Sequence, residues 1–162
     1  MKFWQRLLLV FFLALALDVF TKLWVERALT IHTPVPIMEQ MFQFTLSYNT
    51  GVAFGLFANG GTWPLILSGV IIAGLAIWVV VTLRSGELPS NLVWPLAAIL
   101  GGAIANFSDR LFDGRVTDFL DIGIGVTRWP TFNLADTFIV TGVALLALVT
   151  FLDKPASQET SR

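Results

Sequence analysis

Cysteine is absent from the sequence and histidine occurs once, at His32. The first absence removes disulfides, thiolate metal sites and cysteine nucleophiles together. The second leaves zinc peptidases of the His-Glu-x-x-His type, and histidine-dependent triads, with almost nothing to be built from. Charge is scarce too: 13% of the 162 residues are Asp, Glu, Lys or Arg, against about a quarter in a soluble domain. Ten basic and eleven acidic side chains leave a net charge of −1, so no basic field exists to hold nucleic acid through counterion release. No nucleic-acid partner is expected. Of the groups that could do chemistry, carboxylates remain.

Apolar residues are what the chain has in quantity, 56% of it, with a mean hydropathy of +0.77. A helix needs about 20 mostly apolar residues to cross a bilayer, and four stretches qualify, at 4–24, 62–83, 92–107 and 134–152. Trp4, Trp24, Trp63, Trp94 and Trp129 stand at or near their ends, where indole rings anchor at headgroup level. The expected fold is an all-α membrane protein, a four-transmembrane-helix bundle forming one integral membrane domain over 1–162, with a small sheet or loop element outside the membrane. Lys2 and Arg6 before an apolar run, and Ala14-Leu15-Ala16 after its start, resemble a cleavable signal peptide. The apolar run continues past that point, and Asp18 and Lys22 lie four apart on one helical face, so the first span is read as retained.

An even number of spans puts both termini on one side, and Lys2 with Arg6 favours the cytoplasm. The full count of basic residues, five on each side, adds nothing to that orientation. Residues 25–61 and 108–133 then face outside. In the first of these segments Phe42, Phe44, Leu46 and Tyr48 alternate with Gln43, Thr45, Ser47 and Asn49, the period of a half-buried strand. The run Asn49-Thr50-Gly51-Val52-Ala53-Phe54-Gly55 ends the alternation, with glycines where the backbone needs positive φ or a close approach. This strand and turn could hold an extended peptide by strand addition.

A charged side chain at the centre of a spanning helix costs about 2.5–3.5 kcal/mol on insertion scales, so each polar cluster calls for a reason. Asp18, Thr21 and Lys22 form the first cluster, either an ion pair snorkelling to the interface or a support of the site. Gly102, Asn106 and Arg110 form a stripe at i, i+4 and i+8, with Asp109 beside it; helix capping and an Asp109–Arg110 pair are the alternative there. Asp118 lies in Val116–Asp121, just after the third span, and Asp136 opens the fourth. A lone carboxylate in a first turn is ordinarily there for the helix dipole. Two of them, joined by a short connection, can meet at the outer mouth of the bundle. Close carboxylates share a proton and titrate as one unit, which supplies the acid and base of an aspartyl protease. Asp136, at a helix N-terminus, is expected to hold the anion, and Asp118, among apolar neighbours, the proton.

Three other readings stand beside this one. Asp109, Asp113, Asp118, Asp121 and Asp136 could hold magnesium, although Arg110, Arg115 and Arg128 compete for them. A proton-coupled transporter would also keep carboxylates at membrane depth, but distributed through its thickness. A lipid-phosphate phosphatase could use the arginines as an anion clamp, with His32 its only histidine nucleophile.

Five motifs occur in order: Asp18-x-x-Thr21-Lys22; Asn49 to Gly55; Gly101-Gly102-Ala103-x-x-Asn106-x-x-Asp109-Arg110; Val116-x-Asp118-Phe119; and Phe132-Asn133-x-Ala135-Asp136. With them the sequence resembles the lipoprotein signal peptidase (signal peptidase II) family from Asp18 to about Thr141. The resemblance implies a multi-pass aspartyl endopeptidase of the bacterial inner membrane that removes the signal peptide of prolipoproteins, cutting before the diacylglyceryl-modified cysteine. Asp118 and Asp136 match the catalytic aspartates. Asn49, Gly51, Gly102, Asn106, Asp109, Arg110, Asn133 and Ala135 match positions that bind substrate or support the dyad, and Asp18 with Lys22 the first, structural motif. Ala105 departs from the glycine of many relatives. No metal and no cofactor are implied. The implied partners are diacylglyceryl-modified prolipoproteins, membrane lipid and globomycin-type inhibitors, with a monomeric enzyme, both termini cytoplasmic and the active site at the periplasmic face.

Overall fold

The computed structural model describes residues 3–39, 41–51, 61–86 and 88–152. Among these, four helices are long and apolar enough to cross a membrane. They are α1 (Phe3–Ala28), α2 (Trp63–Ser85), α3 (Val93–Asp113) and α4 (Leu134–Leu152). Strands β1 (Val35–Met38) and β2 (Phe42–Asn49) lie between α1 and α2, and β3 (Val116–Ile124) and β4 (Thr127–Arg128) between α3 and α4.

Helix α3 is central, which its sequence accounts for: it combines an apolar core face with small residues. Val93, Leu96, Ala97, Gly101, Gly102 and Ala105 are buried along it. Without a hydrophobic force between helices in lipid, association depends on close packing, and small residues let backbones approach. At Gly101 a Cβ would come within 2.7 Å of the Phe11 carbonyl oxygen of α1. At Gly102 it would collide with the Ala135 carbonyl oxygen of α4. One glycine therefore seats α1 and the next seats α4. The helix runs past the expected end of the third span at Phe107 because nothing interrupts it before Gly114, which takes the left-handed conformation (φ +68°) and donates its N–H to the Arg110 carbonyl.

The strands form one antiparallel sheet in the order β1-β2-β3-β4 over the C-terminal end of α1. Its core contact is the buried trio Val25, Leu46 and Phe119, flanked by Phe44, whose ring meets Trp24 edge-on at 5.7 Å. The connection between α3 and α4, read from the sequence as a loop, supplies half of this sheet. Its register with β2 runs Gln43↔Asp121, Phe44↔Leu120, then Ser47↔Asp118, so Thr45 and Leu46 together oppose Phe119. That bulge falls beside Asp118, where an extra residue re-aims the neighbouring side chains. On the other edge the N–H groups of Phe119 and Leu120 both donate to the Phe132 carbonyl, at 2.9 and 2.7 Å. The middle of β3 is thereby tied to the segment that leads into α4.

Candidate active site

Asn133 precedes α4 and closes a reciprocal cap with Asp136: the Asp136 N–H donates to Asn133 Oδ1 (2.9 Å), and the Asn133 N–H donates to Asp136 Oδ2 (3.3 Å). The Asn133 amide nitrogen then donates to Asp118 Oδ1 at 2.7 Å. One residue thus holds both aspartates, and the cap that starts the helix also sets their relation. The side chain of Asn49, at the end of β2, is a second hydrogen-bond donor to Asp118. Asp136 Oδ1 accepts from the Asn106 amide of α3 at 2.7 Å.

Behind this pair lies a buried ion cluster. Lys22 Nζ lies 2.6 Å from Asp18 Oδ2 and 2.7 Å from Asp109 Oδ2, and donates to Asn106 Oδ1 at 2.9 Å. The other Asp18 oxygen accepts the Ala135 N–H at 2.7 Å, an otherwise orphan donor of the first turn of α4. Asp18 and Lys22 are 0% and 4% exposed, so the snorkelling alternative fails: the pair is inside the bundle, capping a helix end. The Asp109–Arg110 alternative fails as well, because Arg110 turns the other way. Its Nε and Nη2 donate to the Gly51 carbonyl (3.2 and 2.6 Å) and its Nη1 to the Asn106 carbonyl. Gly51 in turn donates its N–H to Asn49 Oδ1. Residues 52–55 of that motif lie outside the described residues.

Every candidate site residue in the described segments therefore comes to one region at the end of the bundle that carries the sheet, with Gly102 and Ala135 as its packing contact. Asp121 is set apart. It is bound by Gln43 (2.6 Å), Thr45 (2.7 Å) and Arg128 (2.7 Å) across the sheet, which holds its carboxyl below the usual range and makes it a brace of β3. Sequence reasoning did not pick out Gln43 and Thr45, although their place on one face of the alternating strand was a usable signal. Glu26, which accepts from Thr117 Oγ1 at 2.6 Å, carried none. Arg115 lies over the Tyr48 ring at 3.6 Å, and His32 is exposed. Among the described residues no three acidic or histidine side chains converge as a cation site.

A cavity of about 660 Å³ runs along α2, α3 and α4. Leu67, Ile71, Leu75, Ile139 and Val140 make its walls apolar, and Asn49, Asn106, Arg110 and Asp136 form its polar end. Asp118, 2% exposed, stands one amide deeper. Burial first, and then the negative charge of Asp136, push the Asp118 carboxyl up to about 7, against the opposing hydrogen bonds of Asn133 and Asn49.

That shift has a consequence for stability. An unfolded carboxyl releases its proton near 3.8, whereas the folded one keeps it to about 7. Between these values the unfolded chain gains a solvated anion that the folded chain does not, so stability from this group falls as pH rises from about 4 to 7 and stays low above it. Asp118→Asn removes that loss. The variant is expected to melt with a flatter pH dependence than wild type and to be more stable at pH 8 by about 1–3 kcal/mol. Detergent-phase thermal unfolding from pH 4 to 8 checks this, and parallel curves for the two proteins would contradict it.

The sequence profile of the peptidase A8 family, signal peptidase (SPase) II, matches residues 10–152. The lipoprotein signal peptidase of Xanthomonas euvesicatoria pv. vesicatoria is 39% identical over 156 residues, covering 94% of this chain and 89% of the relative. That of Xylella fastidiosa is 38% identical over 150 residues, covering 90% and 88%. Two solved bacterial membrane enzyme structures share the fold, with TM-scores of 0.81 and 0.77, each at 24% identity and covering 96% and 92% of this chain. Similarity that runs through all four helices and both halves of the sheet, at matching length, has one reading: the chain belongs to the signal peptidase II family of membrane peptidases.

Proposed function

We propose that this membrane peptidase, of a family that removes signal peptides from prolipoproteins, acts on diacylglyceryl-modified precursors and cuts before the lipidated cysteine, with Asp118 and Asp136 as its catalytic pair. The observation that carries the assignment is the double attachment of Asn133, which joins the two carboxyl groups at the polar end of an apolar cavity. The Asp136 carboxylate takes a proton from water as its oxygen attacks the scissile carbonyl. Asp118 donates its proton to the developing oxyanion. Collapse of this gem-diol intermediate breaks the C–N bond as one hydroxyl proton returns to Asp118, and the proton gathered by Asp136 passes to the leaving amine.

Asn106 and Asn133 orient the pair, while Arg110 secures the backbone at Gly51 at the cavity's edge. A precursor carrying acyl chains and an apolar signal helix stays in the bilayer, so its scissile bond reaches the site laterally. The apolar walls of α2 and α4 suit that approach, and a globomycin-type inhibitor would occupy the same end of the cavity. Lys2 and Arg6 favour cytoplasmic termini and hence a site at the periplasmic face of the inner membrane. The enzyme needs no second copy for this chemistry and acts as a monomer.

Matched precursors with and without the diacylglyceryl group test the substrate assignment. Remote binding energy of the acyl chains is spent at the reacting bond, so the unmodified precursor is expected to be cut at least about 100-fold more slowly. Equal rates would overturn the lipid requirement while leaving the dyad in place.

A further inference from the structure

The buried ammonium of Lys22 has more to do than neutralise Asp18. It carries donors only, so the side-chain atom of Asn106 that meets it at 2.9 Å must be the carbonyl oxygen. The Asn106 amide nitrogen is then obliged to face Asp136 Oδ1, at 2.7 Å. The same logic holds at Asn133. The Asp136 N–H is a donor, so Asn133 must present Oδ1 to it and turn its amide nitrogen toward Asp118 Oδ1 and Asn106 Oδ1, at 2.7 and 3.2 Å. Neither amide can flip without facing donor to donor inside the bundle. Asp136 therefore receives N–H donors on both oxygens, one from the Asn106 amide and one from the Asn133 backbone. Such a carboxyl is wired as the acceptor of the pair.

Resting on the dyad assignment above, we infer that Lys22 is a positioning residue that fixes the polarity of the site, locking Asn106 as a donor so that Asp136 is the anion and Asp118 the proton carrier. The charged groups that face this centre are Asp18 and Lys22 on α1, Asp109 and Arg110 on α3, Asp118 on β3 and Asp136 on α4. Lys22 and Arg110 are the cations among them, and Arg110 spends its hydrogen bonds on the backbone carbonyls of Gly51 and Asn106. Lys22 is the cation that touches the amide.

The test is Lys22→Met, close in volume and uncharged, assayed as the full-length protein in detergent on a lipid-modified precursor. With the ammonium gone, the orientation of Asn106 rests on the longer contact from the Asn133 amide alone, and the dyad loses a positive charge that favours its anionic forms. The expected result is a kcat lower by about 10- to 100-fold with KM within about threefold, and both limbs of the bell-shaped kcat profile displaced upward by about one pH unit. Lys22→Arg, which keeps charge and donors, should restore the limbs. A variant with wild-type limbs, whether or not its kcat falls, overturns the inference and reduces Lys22 to a packing role. Should Lys22→Met not fold, Asn106→Ser leaves the Lys22 ion cluster in place and severs the link to Asp136. It is expected to lose kcat by a similar factor, and wild-type kcat there overturns the inference. Asp136→Asn, run alongside, separates the two claims: full activity in that variant removes the dyad itself, whereas an inactive one leaves the dyad standing whatever Lys22 does.

Discussion

Asp118→Asn and Asp136→Asn are each expected to lower kcat by at least about 10³-fold while the protein stays folded, since each removes a proton-transfer group and little volume. The two variants should nevertheless differ. At position 118 the introduced amide can keep an oxygen toward the Asn133 nitrogen, and a buried ionisable group is lost, so the fold is preserved or gains. At position 136 both native oxygens accept from N–H donors, from Asn106 on one side and the Asn133 backbone on the other. An amide there can satisfy only one of them and leaves two donors facing each other, at a cost of about 1–3 kcal/mol. An inactive, stable Asp118→Asn beside an inactive, weakened Asp136→Asn is the predicted pattern, read by precursor cleavage and detergent-phase melting. More than a tenth of wild-type activity in either variant contradicts it.

Gly102→Val should have the next largest effect, and it acts without touching a reacting group. The new Cβ would overlap the Ala135 carbonyl oxygen and lie 3.1 Å from Ile139 Cγ1. The obstacle at Ala135 is backbone in the first turn of α4, so the helix must move away from α3. Asp136 is the next residue in that turn, and a displacement of about 1 Å at a reacting group costs on the order of 10²-fold in rate. Overpacking adds about 1–3 kcal/mol of destabilisation. Gly74→Ala, where a Cβ meets nothing within 4 Å, serves as the control and should keep wild-type cleavage. Comparable losses in both variants would mean that α3–α4 contact at this glycine does not set the site.

What could be read from the sequence followed from its periodicities. Four apolar runs specified the bundle, and the alternation of Phe42 to Asn49 specified β2, whose Phe44, Leu46 and Tyr48 pack with Val25 and Phe119 while Gln43 and Thr45 bond Asp121. Strand β3 carried no such signal: Val116, Thr117, Asp118 and Phe119 are all buried, so the alternation that marks a half-buried strand is missing. The end of α3 was placed early for a similar reason. Ser108, Asp109 and Arg110 look like an interface, yet Asp109 pairs inward with Lys22, and only Gly114 stops the helix. The aspartates were legible as a pair from type and position, and the motif resemblance identified their neighbours. The direction of the hydrogen bonds was not legible, since it depends on which atom of Asn106 meets Lys22 and which atom of Asn133 caps α4.

The central claim is that a carboxylate pair cuts the precursor unaided. Its most direct test is mass analysis of the products when purified wild-type enzyme, treated with chelator, meets a diacylglyceryl-modified prolipoprotein beside the Asp118→Asn and Asp136→Asn variants. The account predicts a mature product beginning at the lipidated cysteine, formed by wild type at an undiminished rate and absent from both variants. Cleavage abolished by chelator, or retained by either variant, would contradict it.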